Sequence, residues 1–127
     1  MEEDRKEQRQ AIRVKPLDSE PIEIQIIGFE FMDILHARNI CALGIGIWVP
    51  HQFKGCKIDE EVQIVVTLPD MEPFLCRGMI RHKSSSDEKA FFGIQFTGIS
   101  KLHHAWIKNY VQSRLSEEAE QSQQGTQ

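Results

Sequence analysis

The pattern that most constrains this chain is a two-residue apolar alternation that recurs between Pro21 and Thr97 with no helical period in between. Val62, Ile64, Val66 and Leu68 alternate with Gln63, Val65 and Thr67, which is a strand with one face buried. Ile22-Glu23-Ile24-Gln25-Ile26 repeats the pattern behind Pro21, and Ile27-Gly28-Phe29 reads as a break or bulge. A second strand is expected from about Phe31 to Asn39, with Phe31, Asp33 and Leu35 on one face and Met32, Ile34 and His36 on the other. Ile45 to Val49 gives a third. After a polar connection from Pro50 to Glu61 and the Val62 strand, Phe74 to Arg81 gives a fifth, bulged at Gly78. Lys83 to Lys89 reads as a polar hairpin loop, and Ala90 to Thr97 as the last strand. Six strands with short connections imply an antiparallel sheet curled into a barrel or a sandwich. Gly44, Gly46, Gly78 and Gly93 suit sharp strand curvature.

The period changes after Ser100, a residue type suited to capping a helix. Leu102, Trp106, Tyr110 and Val111 fall at helical spacing, and Ile107 and Leu115 extend that face, which should cover an end or side of the sheet. The expected class is therefore all-β with a C-terminal helix, a six-stranded antiparallel β-barrel. Three segments are expected: a flexible arm at 1–15, the barrel with its helix at 16–115, and a disordered polar tail at 116–127.

Composition excludes several functions. A 127-residue chain is one domain and needs no disulfide or metal to fold. Its net charge of −4 disfavours nucleic acid as a partner, and its longest apolar run is too short for membrane insertion. Three cysteines, Cys41, Cys56 and Cys76, form no CxxC pair, which fits a reducing compartment. The charged run from Glu2 to Arg9 is unlike a secretory leader, so a cytoplasmic location is expected. The histidines have no metal-ligand spacing; His103 and His104 point about 100° apart on a helix and read as surface residues. Trp48 and Trp106 read as core or barrel-end packing. No residue set suits nucleophilic catalysis or a metal, and no enzyme is expected.

Two stretches carry chemistry. Arg5, Arg9 and Arg13 recur every fourth residue in the arm. Alone, that spacing reads first as a solvated charged face with Glu2, Glu3 and Glu7 as counter-charges, although two such arginines could close on one anion. Asn39-Ile40-Cys41-Ala42-Leu43-Gly44-Ile45-Gly46-Ile47 mixes an amide and a thiol with two glycines. Alone, it reads first as a hairpin with a bulge, its glycines permitting positive φ and close approach to the backbone.

Together, in this order, the two resemble a known pair of motifs. Arg9-Gln10-Ala11-Ile12-Arg13-Val14 matches RxxxR before the first strand, and Asn39 to Gly44 resembles [D/N]xSxxG. Gly55 in the connection, Gly93-Ile94-Gln95-Phe96 in the last strand and the closing helix continue the likeness. Over residues 5–115 the chain resembles a PilZ domain, the bacterial receptor module for cyclic di-GMP (c-di-GMP). The resemblance implies a split-barrel type of fold, an arm that wraps over the barrel when ligand binds, and a role in motility or biofilm regulation. It implies a ligand site of Arg9, Arg13, Asn39, Cys41 and Gly44, with Arg5/Arg9 as another register of the arginine pair. An arginine fork can pair with phosphate or with guanine O6 and N7, Asn39 would face a guanine edge, and Gly44 would let ligand lie against the turn. Cys41 stands where the motif has serine, and Gln8 where many members have arginine. Losing one neutral hydrogen bond costs about 0.5–1.5 kcal/mol, which weakens binding without abolishing it. The implied function is a receptor that signals to a protein partner, as a monomer or homodimer, with no cofactor beyond the ligand. The alternative is a degenerate PilZ-like interaction module that binds no nucleotide.

Overall fold

The structure is a computed structural model that describes residues 12–27, 34–50, 57–85 and 89–124. The strands are β1 (Glu23–Ile27), β2 (Leu35–Cys41), β3 (Gly44–Pro50), β4 (Glu61–Thr67), β5 (Phe74–Ser85) and β6 (Lys89–Gly98), followed by helix α1 (Lys101–Gln124). They form a closed antiparallel barrel in the order β1-β2-β3-β6-β5-β4, with β4 returning to β1. Alternation drives this closure. Ile24 and Ile26, Ile45, Ile47 and Val49, and Val62, Ile64 and Val66 all point inward and are buried with Ile80, Phe92 and Ile94. Barrel, rather than sandwich, is the outcome.

β2 is offset from its expected span. It begins at Leu35, which is buried, while Ile34 is exposed; Gly28 and residues 29–33 lie outside the described residues. β1 pairs with β2 only at Leu35 and His36, and Ala37 N–H donates to Ile22 O at 3.0 Å, so the edge of β2 beyond Ala37 is open to another segment. Val14 takes it. Its N–H donates to Ile40 O at 2.9 Å, Ile40 N–H returns the bond at 3.0 Å, and the valine side chain enters the core. Residues 12–15 thus do not belong to a free arm, because Val14 gains more by burial than by solvation. Residues 1–11, with Arg5 and Arg9, lie outside the described residues.

The β5–β6 hairpin is longer than expected. β5 runs to Ser85 and β6 starts at Lys89, with Ser84 opposite Phe91 and Lys83 opposite Phe92. The two phenylalanines give polar residues a cross-strand surface, so the ladder continues through sequence that composition alone assigns to a loop. The expected bulge at Gly78 is present as a register shift between Arg77 and Gly78, and a second shift lies between Ile80 and His82.

α1 is capped as expected: Ser100 Oγ accepts from His103 N–H at 3.1 Å. Ser100→Ala is expected to cost about 1 kcal/mol and lower Tm by about 4 °C in a thermal melt. An unchanged Tm would mean the cap is not formed in solution. The buried stripe is Ile107, Val111 and Arg114, flanked by Trp106, Tyr110 and Leu115. Leu102 is 60% exposed, contrary to expectation, because it lies roughly 140° around the helix from Ile107. Its place is taken by His103, stacked on Phe74 with centroids 4.5 Å apart. The helix also continues past Leu115 to Gln124, where the sequence suggested a disordered tail. Glu117 and Glu118 pair with Arg114 one turn back, and glutamate, glutamine and alanine are good helix formers. No helix among the described residues is long and apolar enough to cross a membrane.

Candidate ligand-binding site

The Val14–Ile40 bridge brings the two chemical stretches together. Val14 and Ile40 point inward, so residues 13, 39 and 41 fall on the outer side of the barrel. Arg13 Nη1 donates to Asn39 Oδ1 at 2.7 Å. Among the described residues Arg13 makes no salt bridge. Its guanidinium stands at the rim of an open pocket of about 270 Å³, which Cys41, Leu43 and Gly44 line on one side and Arg81, His82, Gly93, Ile94 and Gln95 on the other. Four of the expected site residues, Arg13, Asn39, Cys41 and Gly44, are therefore neighbours. Cys41 is only 3% exposed, beneath this rim.

The glycines serve close approach rather than positive φ. The turn between β2 and β3 is Ala42-Leu43, closed by the Cys41–Gly44 pair, and neither Gly44 nor Gly46 has positive φ. A Cβ on Gly44 would lie 2.3 Å from Ile94 O, in the backbone of β6. A Cβ on Gly46 would lie 2.7 Å from both Asn39 Oδ1 and the Phe91 ring. Gly44 thus lets two strands close up, and Gly46 lets Asn39 and Phe91 fold over β3.

Arg81 escaped the sequence reading. It follows inward-facing Ile80 on β5 and points outward. Its Nε donates to Gln95 Oε1 at 2.8 Å and its Nη1 to Asp59 Oδ1 at 2.9 Å. Gln95 lies within Gly93-Ile94-Gln95-Phe96, and that was the available signal: an outward polar side chain between apolar neighbours. The pocket thus has two guanidiniums, one balanced by Asp59.

A cationic and aromatic surface adjoins it. The Arg38 guanidinium lies 4.9 Å from the Trp48 ring centroid and 5.2 Å from that of Phe91. Trp48 is half-buried on the outer face, not in the core, since Ile47 and Val49 occupy the inward positions of β3. The adjacent histidines are also more engaged than expected. His103 stacks on Phe74, and His104 Nε2 donates to Ala42 O at 2.9 Å, tying α1 to the β2–β3 turn. Burial pushes the Cys76 thiol up to about 11, so it stays protonated and acts as a small apolar side chain.

Among solved structures, the chain is similar to the PilZ domain of YcgR from Escherichia coli with c-di-GMP. The two share 12% identity and a TM-score of 0.69, over 88% of this chain and 95% of that one. The fold is that of a PilZ domain. This PilZ-like barrel is also similar to the Bacillus subtilis inhibitor of motility MotI/DgrA, at 18% identity and a TM-score of 0.69 over 85% of this chain and 52% of that one. It matches the K. pneumonia MrkH–c-di-GMP complex at 12% identity and a TM-score of 0.71, over 87% and 53%. The chain spans about half the length of MotI and MrkH. No protein-family model and no curated protein matches the sequence.

Proposed function

We propose that this PilZ-like domain is a receptor for c-di-GMP. The observation that carries the reading is the 2.7 Å bond between Arg13 and Asn39 at the rim of the pocket. It joins the second arginine of RxxxR to the first residue of the [D/N]xSxxG-like stretch. The YcgR PilZ domain and MrkH were solved with c-di-GMP, which supports the reading by analogy of fold.

The chemistry is consistent. The ligand carries two phosphates and two guanines. Arg13 spends one of its five N–H donors on Asn39 and keeps a fork that suits phosphate or guanine O6 and N7. Arg9, or Arg5 in the other register, would add a second guanidinium from the arm. Because Val14 is already docked, the ordering switch would involve the chain before Arg13. The ordered arm would then present a surface to a protein partner. The role is binding, without turnover.

One observation favours the second reading, an interaction module that binds no nucleotide: the buried thiol of Cys41 where the motif has a hydroxyl. Cys41→Ser is expected to leave affinity equal or raise it by about three- to tenfold. A loss of affinity in that variant would show that the thiol is not a handicap.

The deciding experiment is isothermal titration with c-di-GMP, with GTP as control. Micromolar or tighter binding, lost in Arg9→Ala/Arg13→Ala, supports the receptor; no heat at high micromolar ligand supports the interaction module. MrkH is described as a c-di-GMP-dependent transcription regulatory factor, so nucleic acid is a partner to test as well. Filter binding at low salt is expected to show none, given the acidic balance.

A further inference from the structure

Arg114 is the only buried charged side chain among the described residues, at 7% exposure. A buried guanidinium is costly unless its donors are met. Here they are. Nη1 donates to Glu117 Oε2 at 2.7 Å, and Nη2 to Glu118 Oε1 at 3.5 Å, both on the next turn of α1. Nε donates to the carbonyl of Lys15 at 3.0 Å. The glutamates balance the charge; the third bond reaches a distant part of the chain. Lys15 follows the Val14–Ile40 bridge and lies two residues after Arg13. That bridge is isolated, so by itself it holds the segment at one point. A second fastening just beyond it fixes the direction in which the chain leaves, and so the direction in which Arg13 points.

We propose that Arg114 is a positioning residue for the ligand site: through the Lys15 carbonyl it holds Arg13 over Asn39. For the ligand it rests on the c-di-GMP reading above. A separate contact of the same helix agrees with it. His104 Nε2 donates to Ala42 O, one residue after Cys41. α1 thus grips both segments that build the site, the one before β1 and the one between β2 and β3. Glu117 and Glu118 keep the Arg114 fork aimed, so the stretch of helix beyond Leu115 has a function at the site.

The test uses the full chain with Arg114→Met, which keeps an apolar stem and removes the donors, and Arg114→Lys, which keeps the charge. Amide hydrogen exchange is read without ligand, and c-di-GMP affinity by titration. In Arg114→Met the amides of Val14 and Ile40 are expected to exchange about tenfold faster, with those of Ile64 and Val66 unchanged. Affinity is expected to fall about tenfold, with Arg114→Lys recovering part of it. Added to Arg13→Ala, the same change is expected to cost nothing further, since Arg114 acts through Arg13. Unchanged exchange at Val14 and Ile40 would overturn the clamp. A full additional loss in the Arg13→Ala background would overturn its route through Arg13. If Arg114→Met does not fold, Arg114→Lys carries the exchange comparison, because one ammonium cannot replace the three-way fork. Faster exchange with no c-di-GMP binding by the unaltered chain would instead overturn the receptor reading, and the ligand half of this proposal with it.

Discussion

Gly44→Ala is expected to destabilise the barrel by about 3 kcal/mol, at the upper end of what overpacking usually costs. The added Cβ would sit 2.3 Å from Ile94 O, a distance that real Cβ atoms do not show. The obstacle is main chain, in a β6 paired on both sides, so it cannot swing away as a side chain could. Relief requires β3 and β6 to separate around the Gly44–Gln95 pair. Urea denaturation should show a lower midpoint with little change in slope, and a Tm lower by about 10 °C. A midpoint equal to that of the unaltered chain would mean the strands are not so close. Gly46→Ala offers a contrast. Its Cβ meets the ends of the Asn39 and Phe91 side chains, which can move. Its effect should fall on ligand affinity more than on stability.

Arg13→Ala is expected to produce the largest loss of c-di-GMP affinity among single changes in the described site. A hydrogen bond to a charged group contributes about 1.5–3 kcal/mol, which is roughly tenfold to 150-fold in Kd. Arg13 is exposed, so its removal should leave the urea midpoint nearly unchanged. Titration separates it from Cys41→Ala, which removes only a weak thiol partner and should cost less. The roles assigned here would be reversed if Cys41→Ala abolished binding while Arg13→Ala preserved it.

The strands were legible because a half-buried strand must alternate. Ile24, Ile64 and Val66 announced their inward positions without help from the rest of the chain. The helix start was legible for a similar reason, since Ser100 meets a local need for a hydrogen-bond acceptor. What failed depended on partners far away in sequence. Leu102 belongs to a helical period, but which side of α1 is buried is decided by where Phe74 and the core lie. Lys83 and Ser84 look like loop until Phe92 and Phe91 are set opposite them. Trp48 looks like core until β3 commits its neighbours inward. In the candidate site, the motifs pointed to Arg13, Asn39 and Cys41, which the structure brings together, because each sits in a recognisable local order. Arg81 was hidden. Its place depends on the shift between Ile80 and His82 and on Gln95 and Asp59, one from the next strand and one from the loop before β4. Of the two uses a glycine offers at Gly44, positive φ is not taken and close backbone approach is, and only the fold shows that the approaching backbone is that of β6.

Barrel closure also limits how another protein can attach. Each described strand has two neighbours over part of its length, and the edges left open are short: Gln25 to Ile27 of β1 and His82 to Ser85 of β5. Over the rest of the barrel a partner has no main-chain ladder to extend and must read side chains instead. Recognition of that kind is specified residue by residue, and a single surface substitution can then change the choice of partner while the barrel stays intact.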